Sequence, residues 1–226
     1  MMITIPSILA ALEAESHAGT LKRYEKIQET KPYYGVPMGA ISRIAKPYIH
    51  QLELVYPLWE TKILEAQYLA IQIAKGRANQ LTEETIQSCL DDTVSQNVLD
   101  KFANLILNKR SDARKWEDWL LQSDGPVFQR LGWALKGSYF ASKKASSKEI
   151  EETLSTIETH LQTVAEPIQW TMNQCLVEIA VAYPDYLEQG LTIGRTLAVY
   201  ADMKVPKGCT SAYAPDWIEA LLKRKK

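Results

Sequence analysis

The residues of this chain with chemical potential are few and dispersed. Asp91 and Asp92 are adjacent carboxylates, but neighbours on a helix point about 100° apart, so they read as solvated or capping acids and not as an aligned pair. Arg130, beside Phe128 and close to Trp133, carries a guanidinium suited either to an internal acid or to a phosphate. Trp116 and Trp119, at i and i+3, suit stacking on bases or on a cationic ligand; a helix–helix packing stripe is the commoner outcome. Lys109, Arg110, Arg114 and Lys115 form one basic cluster, and Lys136, Lys143, Lys144 and Lys148 another. Each has the charge to track phosphates, or to serve helix ends and solubility. Asp124, before Gly125-Pro126, reads as a helix cap. Cys209 reads as a small buried thiol closing a loop, and His17, His50 and His160 stand singly. Gly35 and Gly39 follow no strand, so they form no phosphate-binding loop. Neither a metal nor a cofactor is expected.

These groups must be positioned by helices. Proline and glycine punctuate the chain, and apolar residues recur at helical spacing between them. The pattern predicts a helix from Pro57 to Lys75, stopped by Gly76, and another behind Thr82, with Ile86, Leu90 and Val94 on its buried stripe. Further helices are predicted over Pro126–Lys143, from Ser147 through Leu161, from Pro167 to the Tyr183-Pro184 boundary, over Pro184–Tyr200 and over Pro215–Lys225. No segment alternates as a strand does, so the fold class is all-α, with paired helices suggesting a single solenoid of hairpins over residues 1–226. Ala141–Ser147 is a flexible, basic, Ser-rich connector, and Pro206–Pro215 is too rich in Pro, Gly and Ser to be helical.

Composition sets limits. The chain has 226 residues, with 26 Lys plus Arg against 27 Asp plus Glu, a net charge of −1. It lacks the strong basic excess of many nucleic-acid-binding domains, so only a locally basic face favours DNA. Three separated cysteines argue against a disulfide framework and fit a reducing compartment. With no leader-like start and no long apolar run, a cytoplasmic chain is expected.

Several segments, in order, resemble the DNA alkylation repair (AlkD-like) family of HEAT-like proteins. They are Tyr33-Tyr34-Gly35-Val36-Pro37 continuing through Met38 to Lys46, Leu58-Trp59-Glu60 with Glu65-Ala66-Gln67, and Phe128-Gln129-Arg130-Leu131-Gly132. Ile168-Gln169 through Met172-Asn173 to Tyr183-Pro184-Asp185 follows, and then Gly208-Cys209-Thr210 to Ala214-Pro215-Asp216-Trp217-Ile218. The resemblance runs from about residue 30 to the end. It implies a superhelix of HEAT-like repeats, a concave surface that takes duplex DNA, and hydrolysis of the N-glycosidic bond of cationic N3- or N7-alkylated purines. A carboxylate would stabilise the oxocarbenium-like sugar, aromatic faces would hold the cationic base, and an Arg would fix the backbone.

Position by position, the functional set is incomplete. The family's catalytic helix reads Trp-Trp-Asp-Thr-Val-Asp where this chain has Leu90-Asp91-Asp92-Thr93-Val94-Ser95. Asp91 thus stands for the second Trp and Ser95 for the acid, leaving Asp91 and Asp92 as candidate catalytic substitutes. The backbone Arg falls on Arg130, and the second aromatic falls on Gln174. The expected DNA contacts are Arg130, Lys109, Arg110, Lys136, Lys143 and Lys144. Two functions are therefore expected: a monomeric protein binding alkylated or abnormal duplex DNA, with or without excision, or a catalytically inactive scaffold for DNA structure or a protein partner. The acidic helix around Glu149–Glu158 favours the scaffold.

Overall fold

Side-chain caps decide where many of the helices begin. Thr4, His17, Thr82, Ser95 and Ser146 each accept a hydrogen bond from a backbone N–H of the first turn that follows, satisfying donors with no partner inside the helix. At Ser146 the exchange is reciprocal, because the Glu149 carboxylate accepts the Ser146 N–H at 2.9 Å. The computed structural model describes residues 4–49, 51–93 and 95–224. Every regular element among them is helical, and they form two compact units, Met1–Ser111 and Asp112–Lys226. His50, Val94 and Lys225, all named from sequence, lie outside the described residues.

The first unit holds α1 (Ile5–Glu13), α2 (Ala18–Lys26), α3 (Met38–Ala45), α4 (Val55–Trp59), α5 (Leu64–Ala74), α6 (Glu83–Asp91) and α7 (Gln96–Leu105). Its axis is α5, buried over all but one of its residues. Glu65 and Gln67 of α5 are fully buried, and each is satisfied by backbone. The Glu65 carboxylate accepts the N–H groups of Tyr34 (2.9 Å), Gly35 (2.7 Å) and Val36 (3.0 Å). Gly35 has φ +80°, and a Cβ there would lie 2.5 Å from the Leu21 side chain. The aromatic–Gly–Val turn and the Glu-Ala-Gln helix are thus two halves of one clamp. Gln67 donates to the carbonyls of Trp59 (3.2 Å) and Asp92 (3.0 Å), tying α4 and the end of α6 to the same helix.

The helix expected over Pro57–Lys75 is two helices. The Thr61 hydroxyl donates to the Leu58 carbonyl at 2.7 Å and accepts the Ile63 N–H at 3.3 Å, while Lys62 turns to φ +56°. Local side-chain bonds replace the helical ladder at that point. The apolar period continues across the break, so periodicity alone cannot reveal it.

The second unit holds α8 (Ala113–Gln122), α9 (Pro126–Ala141), α10 (Ser147–His160), α11 (Glu166–Ala182), α12 (Leu187–Leu197) and α13 (Ala214–Arg224). Its core is built where α9 packs on α8 and α11, with Trp133, Phe140, Leu154, Met172 and Leu176 inside. Gly132 allows the α8 contact, since a Cβ there would sit 2.9 Å from the Leu121 backbone nitrogen. The helix expected over Pro184–Tyr200 begins with a 3₁₀ turn, Pro184–Tyr186, and stops at Leu197, where Ala198 adopts φ +51°. Residues 201–210 are exposed, as the composition of the Pro206–Pro215 segment predicts for a loop. Its far end is anchored where the buried Asn173 side chain donates to the Ala212 carbonyl at 2.8 Å. No helix among the described residues is long and apolar enough to cross a membrane.

Candidate nucleic-acid interface

In the first unit, the Asp91–Ser95 segment joins α6 to α7. Asp91 is the last residue of α6 and is exposed. Asp92 is the C-cap; its carboxylate accepts the Tyr56 hydroxyl at 2.9 Å and pairs with Lys62 at 3.1 Å. The Lys62 ammonium first, and the Tyr56 hydroxyl second, hold its carboxyl below the usual carboxylate range. Asp92 is thus ionised and held by neighbours on both sides.

Ser95 is buried and caps α7. Its hydroxyl donates to Glu29 Oε1 at 2.6 Å, and Asn97 Nδ2 donates to Glu29 Oε2 at 2.7 Å. Partial burial pushes the Glu29 carboxyl up, but hydrogen bonds from Ser95, the Thr30 N–H and Asn97 outweigh it and keep the group below its usual range. A carboxylate therefore stands beside Ser95, delivered from the segment after α2. Tyr68, on α5, feels the Glu29 charge after the larger effect of burial, and both push its hydroxyl up. The Lys101 ammonium lies over the Tyr68 ring, 6.0 Å from its centroid. Nothing local in sequence marks Glu29: it is separated from Ser95 by 66 positions.

Of the basic residues named in this unit, Arg110 is a fastener. Its Nη1 donates to the carbonyls of Ala78 (2.6 Å) and Leu81 (2.9 Å), binding the 3₁₀ turn Ala78–Gln80 to the turn Leu107–Lys109. Lys109 is exposed on the second of those turns.

In the second unit, Arg130 lies in the second turn of α9, with Nη1 3.4 Å from the Pro167 carbonyl. Three residues beyond Pro167, the half-buried Trp170 of α11 meets Tyr200 at 5.5 Å and Trp217 at 6.1 Å between ring centroids. The Tyr200 hydroxyl is buried without a hydrogen-bond partner among the described residues; burial and the Glu166 charge push it up, and Arg130 opposes them. Gln174, matched to the family's second aromatic, is half-buried one turn later on α11. Trp170 is the aromatic that this helix contributes, and a match without gaps passes over it.

Lys136 occupies a different setting. Glu117, 1% exposed, takes Lys136 Nζ at 3.1 Å and Arg114 Nη1 at 2.6 Å. Arg114 also reaches Glu149 at 3.4 Å and lies 4.1 Å from the Tyr139 ring centroid. This network around the buried Glu117 engages Arg114 and Lys136, whereas Lys143 and Lys144 are exposed on the connector after α9. Trp116 is buried, and Trp119 packs edge-on to it at 6.0 Å and against Phe128 at 5.8 Å. Cys209, expected as a buried thiol, is exposed.

Comparison with known proteins places this geometry in context. A family model described as DNA alkylation repair enzyme matches residues 6–206. No curated protein matches the chain. A solved structure is similar over 99% of this chain and 95% of its own, with TM-score 0.80 and 21% identity. It is described as representing a new family of proteins related to the HEAT-like repeat DNA glycosylases with affinity for branched DNA structures. That likeness shows the fold: helices in HEAT-like repeats.

Proposed function

This chain belongs to the DNA alkylation repair enzyme family, and we propose that it binds duplex DNA of abnormal structure, whether alkylated, distorted or branched, through backbone phosphates and without base excision by the Asp91–Ser95 segment. The observation that carries this reading is the state of that segment. Asp92 is committed to Lys62 and Tyr56, Ser95 occupies the position of the acid, and Asp91 projects from the end of α6. A carboxylate already neutralised by an adjacent ammonium, as Asp92 is by Lys62, offers little charge to an oxocarbenium-like sugar, and the Ser95 hydroxyl carries none. The binding half is supported by Arg130 beside the Trp170–Tyr200–Trp217 aromatics, by exposed Lys109, Lys143 and Lys144, and by the branched-DNA affinity ascribed to the structurally similar protein.

One observation favours a second reading, excision of a cationic alkylpurine: the ionised Glu29 beside Ser95, with Tyr68 close by. The two are separated by one experiment. Excess protein is incubated with duplex holding a single N7-methylguanine, and binding to linear and four-way-junction DNA is measured in parallel, with Arg130→Ala as control. Junction binding that weakens in Arg130→Ala, with abasic sites forming only at the spontaneous rate, is the expected result. Excision abolished by Glu29→Gln establishes the second reading. Affinity for every DNA weaker than about 10⁻⁴ M at low salt, below ordinary non-specific binding, overturns both and leaves a scaffold for a protein partner.

A further inference from the structure

Where α5 ends, the first unit bears a cavity of about 500 Å³, open to solvent on one side, whose wall includes Lys75, Arg77, Asn79, Gln80, Leu105 and Lys109. Three of those side chains are cationic, and among the described residues no carboxylate lines the cavity. The wall is rigid for reasons independent of any ligand. Gly76 turns the chain out of α5 at φ +84°, the Arg77 N–H bonds the Ala74 carbonyl at 2.9 Å, and Arg110 fastens the two 3₁₀ turns together. Asn79 Oδ1 accepts both the N–H (2.8 Å) and the hydroxyl (3.1 Å) of Ser111, which fixes the amide plane and leaves its NH₂ unspent. The side chains of Lys75, Arg77 and Lys109 make no hydrogen bond or ion pair with the described residues, while Arg110 next door is fully employed in holding the wall.

Like charges around one cavity repel, and nothing in the wall neutralises them. The negative end of the α5 dipole offsets part of one charge at Lys75, the ordinary reason for a lysine at a helix end. It does not explain Arg77 and Lys109, which arrive from two other turns. The group that satisfies all of them is a multivalent oxyanion, which can accept from two ammonium groups, a planar guanidinium and side-chain amides together.

The geometry points to a phosphate-binding cavity formed by Lys75, Arg77 and Lys109, with the Asn79 and Gln80 amides as additional donors. Its ligand is a phosphodiester or a phosphoanhydride. As a seat for a DNA backbone phosphate it rests on the function proposed above; as a seat for a free pyrophosphate-like anion it does not.

The test uses the full chain and the exposed pair, Lys75→Glu with Lys109→Glu, since neither side chain is buried. The same charge change at Lys22 and Lys46, also exposed, is the control. Four-way-junction affinity is followed across a salt series, and pyrophosphate binding is followed calorimetrically. The expected result is at least a tenfold loss of junction affinity in the cavity pair beyond that of the control. The log–log salt slope should fall by about two in magnitude, near 0.9 for each phosphate that is no longer neutralised. If wild type binds the junction and the cavity pair weakens no more than the control, the cavity proposal is overturned while the DNA-binding function stands. If wild type binds no DNA but takes up pyrophosphate, and the cavity pair does not, the cavity stands as a site for a free phosphoanhydride and the DNA-binding function falls. If wild type binds neither, both are overturned. A third variant, Arg77→Lys, keeps the charge and removes the planar fork, and it should weaken binding by a few fold without altering the salt slope.

Discussion

The Ser95 hydroxyl is held 2.6 Å from a Glu29 carboxylate oxygen, so the cap of α7 and the segment after α2 share one charged hydrogen bond. Position 95 bears no acid, yet an acid is present at that place in the fold. Glu29 also receives Asn97 Nδ2, which makes it a counter-charge at the α7 N-terminus, where the helix dipole favours an anion.

The pH dependence of stability should carry the signature of this pair. Because Glu29 titrates lower in the folded chain than in the unfolded one, its contribution is complete above the ordinary glutamate range and is lost as pH falls through the depressed folded value. Glu29→Gln should cost about 1 kcal/mol at pH 7 and flatten the stability profile below about pH 5. Ser95→Asp should set two carboxylates against each other, destabilising the protein at pH 7 and recovering part of the loss below about pH 5, where one of them is protonated. Urea titrations at pH 7 and pH 4 check both; a wild-type profile identical to that of Glu29→Gln would show that the bond contributes nothing.

Glu65 should be a cornerstone of the first unit. Truncating it to Ala would strand three N–H groups, two of their bonds being fully buried, at a cost of about 3 kcal/mol or more. Glu65→Gln should be intermediate, since one amide oxygen remains as acceptor while the NH₂ faces another donor. Chemical denaturation followed by far-UV circular dichroism gives the comparison.

Lys136 and the Lys143/Lys144 pair should part company experimentally. Lys136→Ala leaves the buried Glu117 with Arg114 alone and should destabilise the chain by about 2 kcal/mol. Its effect on DNA affinity, once folding is allowed for, should be negligible. Lys143→Ala with Lys144→Ala should leave the melting temperature within about 1 °C, as surface substitutions usually do. It should reduce the salt dependence of DNA binding by the equivalent of one to two phosphates, each about 0.9 in the log–log slope. Weaker DNA binding in Lys136→Ala alone would reverse the assignment.

Gly132→Ala should be costly despite the helix-favouring residue it introduces. Its Cβ would approach the Leu121 backbone nitrogen to 2.9 Å, and backbone yields less than a flexible side chain. About 2 kcal/mol of destabilisation is expected from the forced shift between α8 and α9. An unchanged denaturation midpoint would show that the pair slides apart freely.

The chain's helical nature, and several helix positions, can be read from local signals. Thr82 with its two following acids marks α6, Pro126 marks α9, and the Ser146–Glu149 exchange starts α10 within one residue of the expected position. The α4–α5 break is hidden because Trp59 and Ile63 stand four residues apart across it, as on one helix face, and a single hydroxyl at Thr61 decides the matter. The site is less legible. Lys136 looks like any surface lysine until α8 brings a buried Glu117 to it, and Glu29 has no pattern linking it to Ser95. Of the family-like segments, the Tyr34–Val36 turn and the Glu65–Gln67 stretch prove to be fasteners of the fold: resemblance identifies them without revealing what they do.

Asn173 gives the chain a property that only a blade would expose. The bond from its side chain to the Ala212 carbonyl, together with the Trp170–Trp217 contact, grips α13 from the far side of the exposed stretch 201–210. A protease nick in that stretch would sever the polypeptide without releasing its last helix. The two pieces would elute together under native conditions and separate only in denaturant, so the C-terminal helix is held as a cargo and not merely as a continuation.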